Sequence, residues 1–129
     1  MDSHPLTAER IRAALTTKHI ARRVHHYTRV GSTMDEARRI AEEAAPGEDI
    51  DGTLVVADEQ TTGRGRLKRT WWSPPGTNLL LSLVLCPSLR PHQAHRLTMI
   101  CSLAIADAIE RLTDLSVDLK WPNDIFIRG

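Results

Sequence analysis

Apolar and polar positions recur along this chain with periods that change, and each change marks an element. Leu6, Ile11, Ala14 and Leu15 fall on one side of a helix, so Leu6–Leu15 is predicted as a short amphipathic helix that starts at Thr7. From Arg23 to Val30 the period drops to two. Val24, His26, Thr28 and Val30 share one face and Arg23, His25, Tyr27 and Arg29 the other, which predicts a strand. Gly31-Ser32-Thr33 ends it. Thr33-Met34-Asp35-Glu36 has capping-box spacing, and Ala37, Ile40, Ala41 and Ala44 carry a helix to Ala45, where Pro46-Gly47 stops it. Thr53–Ala57 predicts a short apolar strand. Asn78–Cys86, apolar apart from its first residue and Ser82, predicts a strand covered on both faces.

Pro87 and Pro91 bracket a turn, and His92–Leu112 is then predicted as a long helix. Its apolar residues recur at three and four and occupy more than one face, the pattern of a central buried helix. Val117–Trp121 predicts another strand, Pro122-Asn123-Asp124 a turn, and Ile125–Ile127 the start of a further strand. Its hairpin partner is expected beyond Arg128-Gly129, so the chain reads as the N-terminal part of something longer. Interleaved strands and helices place the fold in the α/β or α+β class, a mixed sheet with flanking helices.

The chain has 129 residues, 41% apolar and 26% charged, enough for one globular domain with a core. Seventeen basic against 16 acidic residues leave a net charge of +1. That gives no electrostatic footprint for nucleic acid and makes the basic cluster at 64–69 a local feature. The longest apolar run, Leu79–Cys86, is too short to span a membrane, and no signal peptide is visible. Cys86 and Cys101 lie in apolar runs and are expected as buried, reduced thiols of a cytoplasmic protein. No histidine pairs with cysteine or carboxylate at metal-ligand spacing.

Three segments carry candidate chemistry. Ser32-Thr33 stands at a strand-to-helix junction, where hydroxyls and free amides cap the helix or bind a carboxylate or ureido-like group. Gly63-Arg64-Gly65-Arg66 continues into Leu67, Lys68 and Arg69 and then Trp71-Trp72. Two glycines free to take positive φ or approach a ligand closely, with four cations within six residues, make an anion-binding loop. It is neither the dinucleotide fingerprint nor the nucleoside-triphosphate loop. Lys120-Trp121-Pro122-Asn123-Asp124 puts a lysine, an amide and a carboxylate at a strand end. That composition suits a plain turn, or a site for phosphate, magnesium and a nucleotide.

Together these segments resemble the biotin–protein ligase (biotin–[acetyl-CoA-carboxylase] ligase) family, from about Val30 to the last residue. The matching pieces are Gly31-Ser32-Thr33-Met34-Asp35, Glu59-Gln60-Thr61-Thr62-Gly63-Arg64-Gly65-Arg66, then Arg69, Trp71, Ser73-Pro74, Gly76 and Asn78, and finally Lys120-Trp121-Pro122-Asn123-Asp124. The resemblance implies the catalytic fold shared by biotin–lipoate ligases and class II aminoacyl-tRNA synthetases. It implies formation of biotinyl-5′-adenylate from biotin and ATP with magnesium, then biotin transfer to a lysine of a carboxyl carrier domain. Ser32, Thr33, Met34 and Gln60 would contact biotin. Gly63, Arg64, Gly65 and Arg66 would cover its carboxylate and the adenylate phosphate. Arg69 and Trp71 would order the loop over the nucleotide. Lys120, Asn123 and Asp124 would sit near the phosphates, with Asp124 on magnesium. Arg66 and Lys120 are the catalytic candidates, and a homodimer is left open.

Departures from the family pattern also carry expectations. Lys68 stands where a further glycine is common, Leu67 where arginine is, and Met34 where asparagine is. A family lysine on the strand after Asp124, the small β-barrel domain and a winged-helix DNA-binding domain are all missing. These 129 residues are therefore expected to be a partial catalytic domain, close to inactive alone and without a repressor role. Two other readings stay open. One is a lipoate ligase or octanoyltransferase of the same fold, against which the Gly63–Arg66 loop and the Lys120–Asp124 turn weigh. The other is a nucleic-acid-binding module using Arg64–Trp72, against which the near-neutral charge weighs.

Overall fold

A computed structural model describes residues 6–128, with side chains to residue 127. The chain divides between Cys86 and Pro87 into two compact units.

The first unit is built on a three-stranded mixed sheet in the order β1-β2-β3. Strand β1 (Val24–Tyr27) runs parallel to β2 (Thr53–Ala57), and β2 pairs antiparallel with β3 (Leu80–Val84). All five residues of β2 are buried, and Val55 and Val56 are essentially sealed. β-Branched side chains suit a central strand with neighbours on both edges.

Alternation along β2 splits it between two helices. On one face lie Thr53, Val55 and Ala57. Ser82 pairs with Val55 and so shares that face, and its hydroxyl lies 2.9 Å from Thr33 of α2 (Thr33–Glu43). On the other face Leu54 and Val56 form a cluster with Ala21, against which Ile11 of α1 (Ala8–Ala14), Val24 and Leu83 pack. Thr7 caps α1, its hydroxyl accepting the Arg10 N–H at 3.2 Å.

The sequence expectations need four corrections in this unit. Strand β1 stops at Tyr27, not Val30, because the chain then swings away so that Val30 bridges Gln60 instead of β2. The cap of α2 is Ser32, whose hydroxyl accepts the Met34 N–H at 3.3 Å. Glu36 instead accepts from Tyr27 Oη and Arg39. Strand β3 is not covered on both faces: Leu81 remains 46% exposed. Cys86 is exposed as well, and so is Cys101.

The second unit is α3 (His95–Thr113) followed by the antiparallel hairpin of β4 (Ser116–Lys120) and β5 (Asp124–Arg128). A short 3-10 turn at Pro91–Gln93 leads into α3. Asp114 closes the helix in the left-handed conformation, and Glu110 accepts the Val117 N–H at 3.1 Å, tying helix to hairpin. β5 pairs with β4 through the 121–123 turn, and Arg128, expected as the start of a turn, lies in the strand opposite Ser116. Nor is α3 a buried helix: Ala106 is its one buried residue, and Ile100, Leu103 and Leu112 are exposed. A two-stranded hairpin covers one strip of a helix whose apolar residues go round more than one face. Among the described residues no helix is long and apolar enough to cross a membrane.

Gly52, just before β2, has φ +75°, and its carbonyl accepts the Ala21 N–H at 2.7 Å. A Cβ there would collide with the His19 carbonyl oxygen. Gly52→Ala should therefore destabilise the protein by at least ~2 kcal/mol in urea titrations; an unchanged midpoint would contradict this geometry. The same corner carries Arg22–Asp49 and Arg23–Glu48 ion pairs. Hydrogen bonds from Arg22 and Arg23 hold Asp49 and Glu48 respectively below the usual carboxylate range. Depressed carboxylates stabilise the fold above their unfolded values, about 4, and lose that contribution as pH falls through the folded ones. The stability deficit of an Arg22→Ala/Arg23→Ala protein should thus be present at pH 7 and shrink towards pH 2. A deficit independent of pH would assign these arginines to packing alone.

Candidate functional site

The first group of candidate residues gathers where β1 gives way to α2. Ser32 and Thr33 are 5% and 4% exposed. Ser32 spends its hydroxyl on the cap. Thr33 donates twice to Gln60 Oε1, from its backbone N at 2.7 Å and its Oγ1 at 3.0 Å. An amide N–H can only donate, so the Gln60 oxygen must face Thr33 and its NH2 must face away. That nitrogen lies beside Gly63, 3.1 Å from where a Cβ would sit. Gln60 is also held by its backbone, bridged to Val30 on one side and Ser73 on the other. Ser73 is 3% exposed and Gly63 is buried.

From Gly63 the basic loop rises as a small closed hairpin. Trp71 N–H donates to Gly63 O at 2.9 Å, Arg64 bridges Thr70, and Gly65 N–H donates to Arg69 O at 2.7 Å. The tip is a 3-10 turn, Arg66–Lys68. The positive φ expected from sequence at the two glycines is not found. The left-handed residues are Leu67 and Lys68, at +57° and +61°. Gly63 and Gly65 are required by close approach instead. A Cβ on Gly65 would overlap Trp71 Nε1, and one on Gly63 would press on the Trp71 carbonyl and Cβ. The Trp71 indole thus lies against the glycine backbone while 61% of the residue stays exposed.

Arg64 is paired with Asp35 in the first turn of α2, which also lies 3.4 Å from Arg38. Met34, beside it on the helix, is exposed. The structure thus brings Ser32, Thr33, Gln60, Gly63, Arg64, Gly65 and Trp71 into one neighbourhood, with Arg66 and Arg69 on its hairpin. Sequence reasoning gave no role to Asp35, Ser73 or Ser82. The available signal was a lone hydroxyl within an apolar strand, at Ser82.

Lys120, Asn123 and Asp124 form a second group, in the other unit. Lys120 and Asp124 are direct partners across the hairpin, and Asn123 Nδ2 lies 3.4 Å from Asp124 Oδ1. Lys120 Nζ stands 5.7 Å from the centre of the Phe126 ring, a cation–π contact. Lys120 and Asp124 also line a groove of about 260 Å³ with Met99, Leu103, Trp121 and Pro122. The group offers one ammonium, one carboxamide and one carboxylate. Among the described residues no cluster of three or more histidine, cysteine or acidic side chains could hold a metal.

Buried hydroxyls at a helix N-terminus are thus joined through Gln60 to a glycine-rich cationic hairpin. Residues 29–129 match the Biotin/lipoate A/B protein ligase family, and the chain belongs to that family. It is 37% identical over 124 residues to the bifunctional ligase/repressor BirA of Bacillus subtilis, covering 96% of this chain and 37% of that protein. It is 38% identical over 90 residues to the biotin–[acetyl-CoA-carboxylase] ligase of Mycobacterium tuberculosis, covering 67% and 34%. The fold is similar to the biotin protein ligase of Leishmania major, solved with biotinyl-5-AMP: TM-score 0.66, 35% identity, 82% of this chain and 47% of that one. It is also similar to that of Aquifex aeolicus, solved with biotin and ATP: TM-score 0.63, 33% identity, 81% and 41%. The chain thus spans just over a third of the length of these two curated relatives.

Gly65→Ala should push the Trp71 indole off the loop backbone while leaving the core intact. In a Trp72→Phe/Trp121→Phe background, Trp71 emission should shift to the red and the melting temperature should change by less than about 4 °C, which is ~1 kcal/mol. Unchanged emission would show that the indole does not rest on Gly65.

Proposed function

We propose that this chain carries the biotin- and adenylate-binding machinery of an ATP-dependent biotin–protein ligase, acting on a carboxyl carrier domain in the cytoplasm. One observation carries the reading. Gln60 is tied by its side chain to Thr33 at the helix start and by its backbone to Ser73 at the root of the loop, so polar floor and cationic lid form a single site. The names and bound ligands of the solved relatives support it.

In this reading Thr33 and Gln60 orient the ureido end of biotin, with Ser32 and Met34 beside them. The carboxylate of biotin then lies under the hairpin. It attacks the α-phosphorus of ATP, the bond from that phosphorus to the α,β-bridging oxygen breaks, and pyrophosphate leaves with that oxygen; the product is a mixed anhydride, biotinyl-5′-adenylate. Two anions must approach each other in this step, and fixed cations aimed at the developing charge lower its barrier. Arg66, on the exposed hairpin, is assigned that role, with Arg64 on the biotin carboxylate and Arg69 and Trp71 ordering the loop over the nucleotide. Burial of the anhydride under the hairpin keeps water from it until a carrier lysine amine attacks the acyl carbon and AMP departs.

Lys120, Asn123 and Asp124 are assigned to the phosphates. Magnesium usually keeps most of its water and is shared between one or two carboxylates and the substrate's phosphates. A single turn carboxylate, Asp124, fits that mode, and the bound ion would neutralise phosphate charge there. A second reading, a lipoate ligase of the same family, is less well supported, because the Thr33–Gln60 floor is polar where an apolar dithiolane ring would have to sit.

In the full-length protein Arg66→Ala should slow biotin-dependent pyrophosphate release about 100-fold, the scale of one lost oxyanion-type donor at roughly 3 kcal/mol. The circular dichroism spectrum should be unaltered. An unchanged rate and an unchanged lifetime of the adenylate would remove Arg66 from the mechanism. Titration calorimetry showing lipoate binding and no biotin binding would reverse the substrate assignment.

A further inference from the structure

The hydroxyl of Ser82 completes a chain of hydrogen bonds with only one consistent direction. Thr33 Oγ1 lies 3.0 Å from Gln60 Oε1, an oxygen that can only accept. The single Thr33 hydroxyl proton is therefore committed to Gln60. Thr33 Oγ1 also lies 2.9 Å from Ser82 Oγ, and with its own proton used it can only accept there. Ser82 must donate. The proton order is then Ser82 to Thr33 to Gln60, and it ends on a carboxamide oxygen that already accepts the Thr33 amide at 2.7 Å. The Gln60 amide nitrogen, opposite that oxygen, lies beside Gly63, 3.1 Å from where a Cβ there would sit.

The position of Ser82 follows from the fold. It pairs with Val55 in the middle of the sheet and interrupts an apolar run, Leu80 to Val84, on the strand face that meets α2. An alanine there would leave the Thr33 hydroxyl without this partner. A hydroxyl there does something packing does not require.

We propose that Ser82 is a positioning residue: by donating to the Thr33 hydroxyl it keeps that hydroxyl's proton on Gln60, reinforcing the orientation the Thr33 amide sets, so that the Gln60 NH2 is held for an acyl substrate whose head group offers a hydrogen-bond acceptor. The inference rests on the biotin-pocket reading given above. A ureido carbonyl satisfies such a donor pair, whereas a dithiolane or plain alkyl head leaves it desolvated and unpaired. A polar site of this kind rejects the analogue lacking its partner atom.

The test is titration calorimetry on the full-length protein with biotin, desthiobiotin, lipoate and octanoate. Ser82→Ala should weaken both ureido ligands about five- to tenfold, as expected for one lost neutral hydrogen bond. Ser82→Thr should restore binding, and the residual affinity for lipoate and octanoate should not fall. In a Gln60→Ala background the Ser82→Ala effect should vanish, which a purely structural role would not produce. Unchanged biotin affinity in Ser82→Ala, or an equal loss with and without Gln60, would overturn the proposal. If the unsubstituted protein does not bind biotin at all, the biotin-pocket reading itself fails, and that result is distinct from either outcome.

Discussion

Gln60 is the joint on which the connections of the first unit depend. Its side-chain oxygen takes two protons from Thr33, and its backbone is bridged to Val30 and to Ser73. Four stretches of chain meet there: the exit from β1, the start of α2, the exit from β2 and the root of the basic hairpin. All are connecting segments, free of regular sheet pairing, and their backbone polar groups need partners. A glutamine answers that need with one acceptor at the helix and one donor pair left over. The amide nitrogen left over lies beside Gly63, at the root of the hairpin.

The hairpin itself shows how glycine can be required for reasons other than φ. Gly63 and Gly65 hold ordinary backbone angles, and their missing side chains make room for Trp71. The strain lies one turn further on, at Leu67 and Lys68, both left-handed and both without the glycine that the conformation favours. Non-glycine residues there narrow the loop's freedom, and the Arg64–Asp35 pair anchors its base to α2. The hairpin is thereby held at its root and strained at its tip.

Much of the fold was legible in the sequence. The β2 strand was read at its full extent, and each other predicted element falls within a few residues of an observed one, because hydrophobic period and turn residues act locally. The misreadings share a cause. Strand β1 was read too long because Val30 kept the alternation while leaving the sheet for Gln60. Arg128 was read as part of a turn, whereas strand pairing carries it opposite Ser116. Helix α3 was read as buried because apolar periodicity reports what a helix can cover, not what is there to cover it.

The sequence by itself determined the residue types of the site: hydroxyls at a helix start, a glutamine before a glycine–arginine hairpin, and a lysine, amide and carboxylate at a strand end. Spacing along the chain was enough to group these into segments, and the resemblance of those segments to known motifs pointed to the family. Only the tertiary structure decided which atoms meet. That Gln60 faces Thr33 across 27 positions of sequence, that Ser82 reaches the same hydroxyl from the middle of β3, and that Asp35 holds Arg64 are consequences of sheet register and helix placement. Hydrogen-bond direction is a property of three-dimensional neighbours, and no pattern along one chain encodes it.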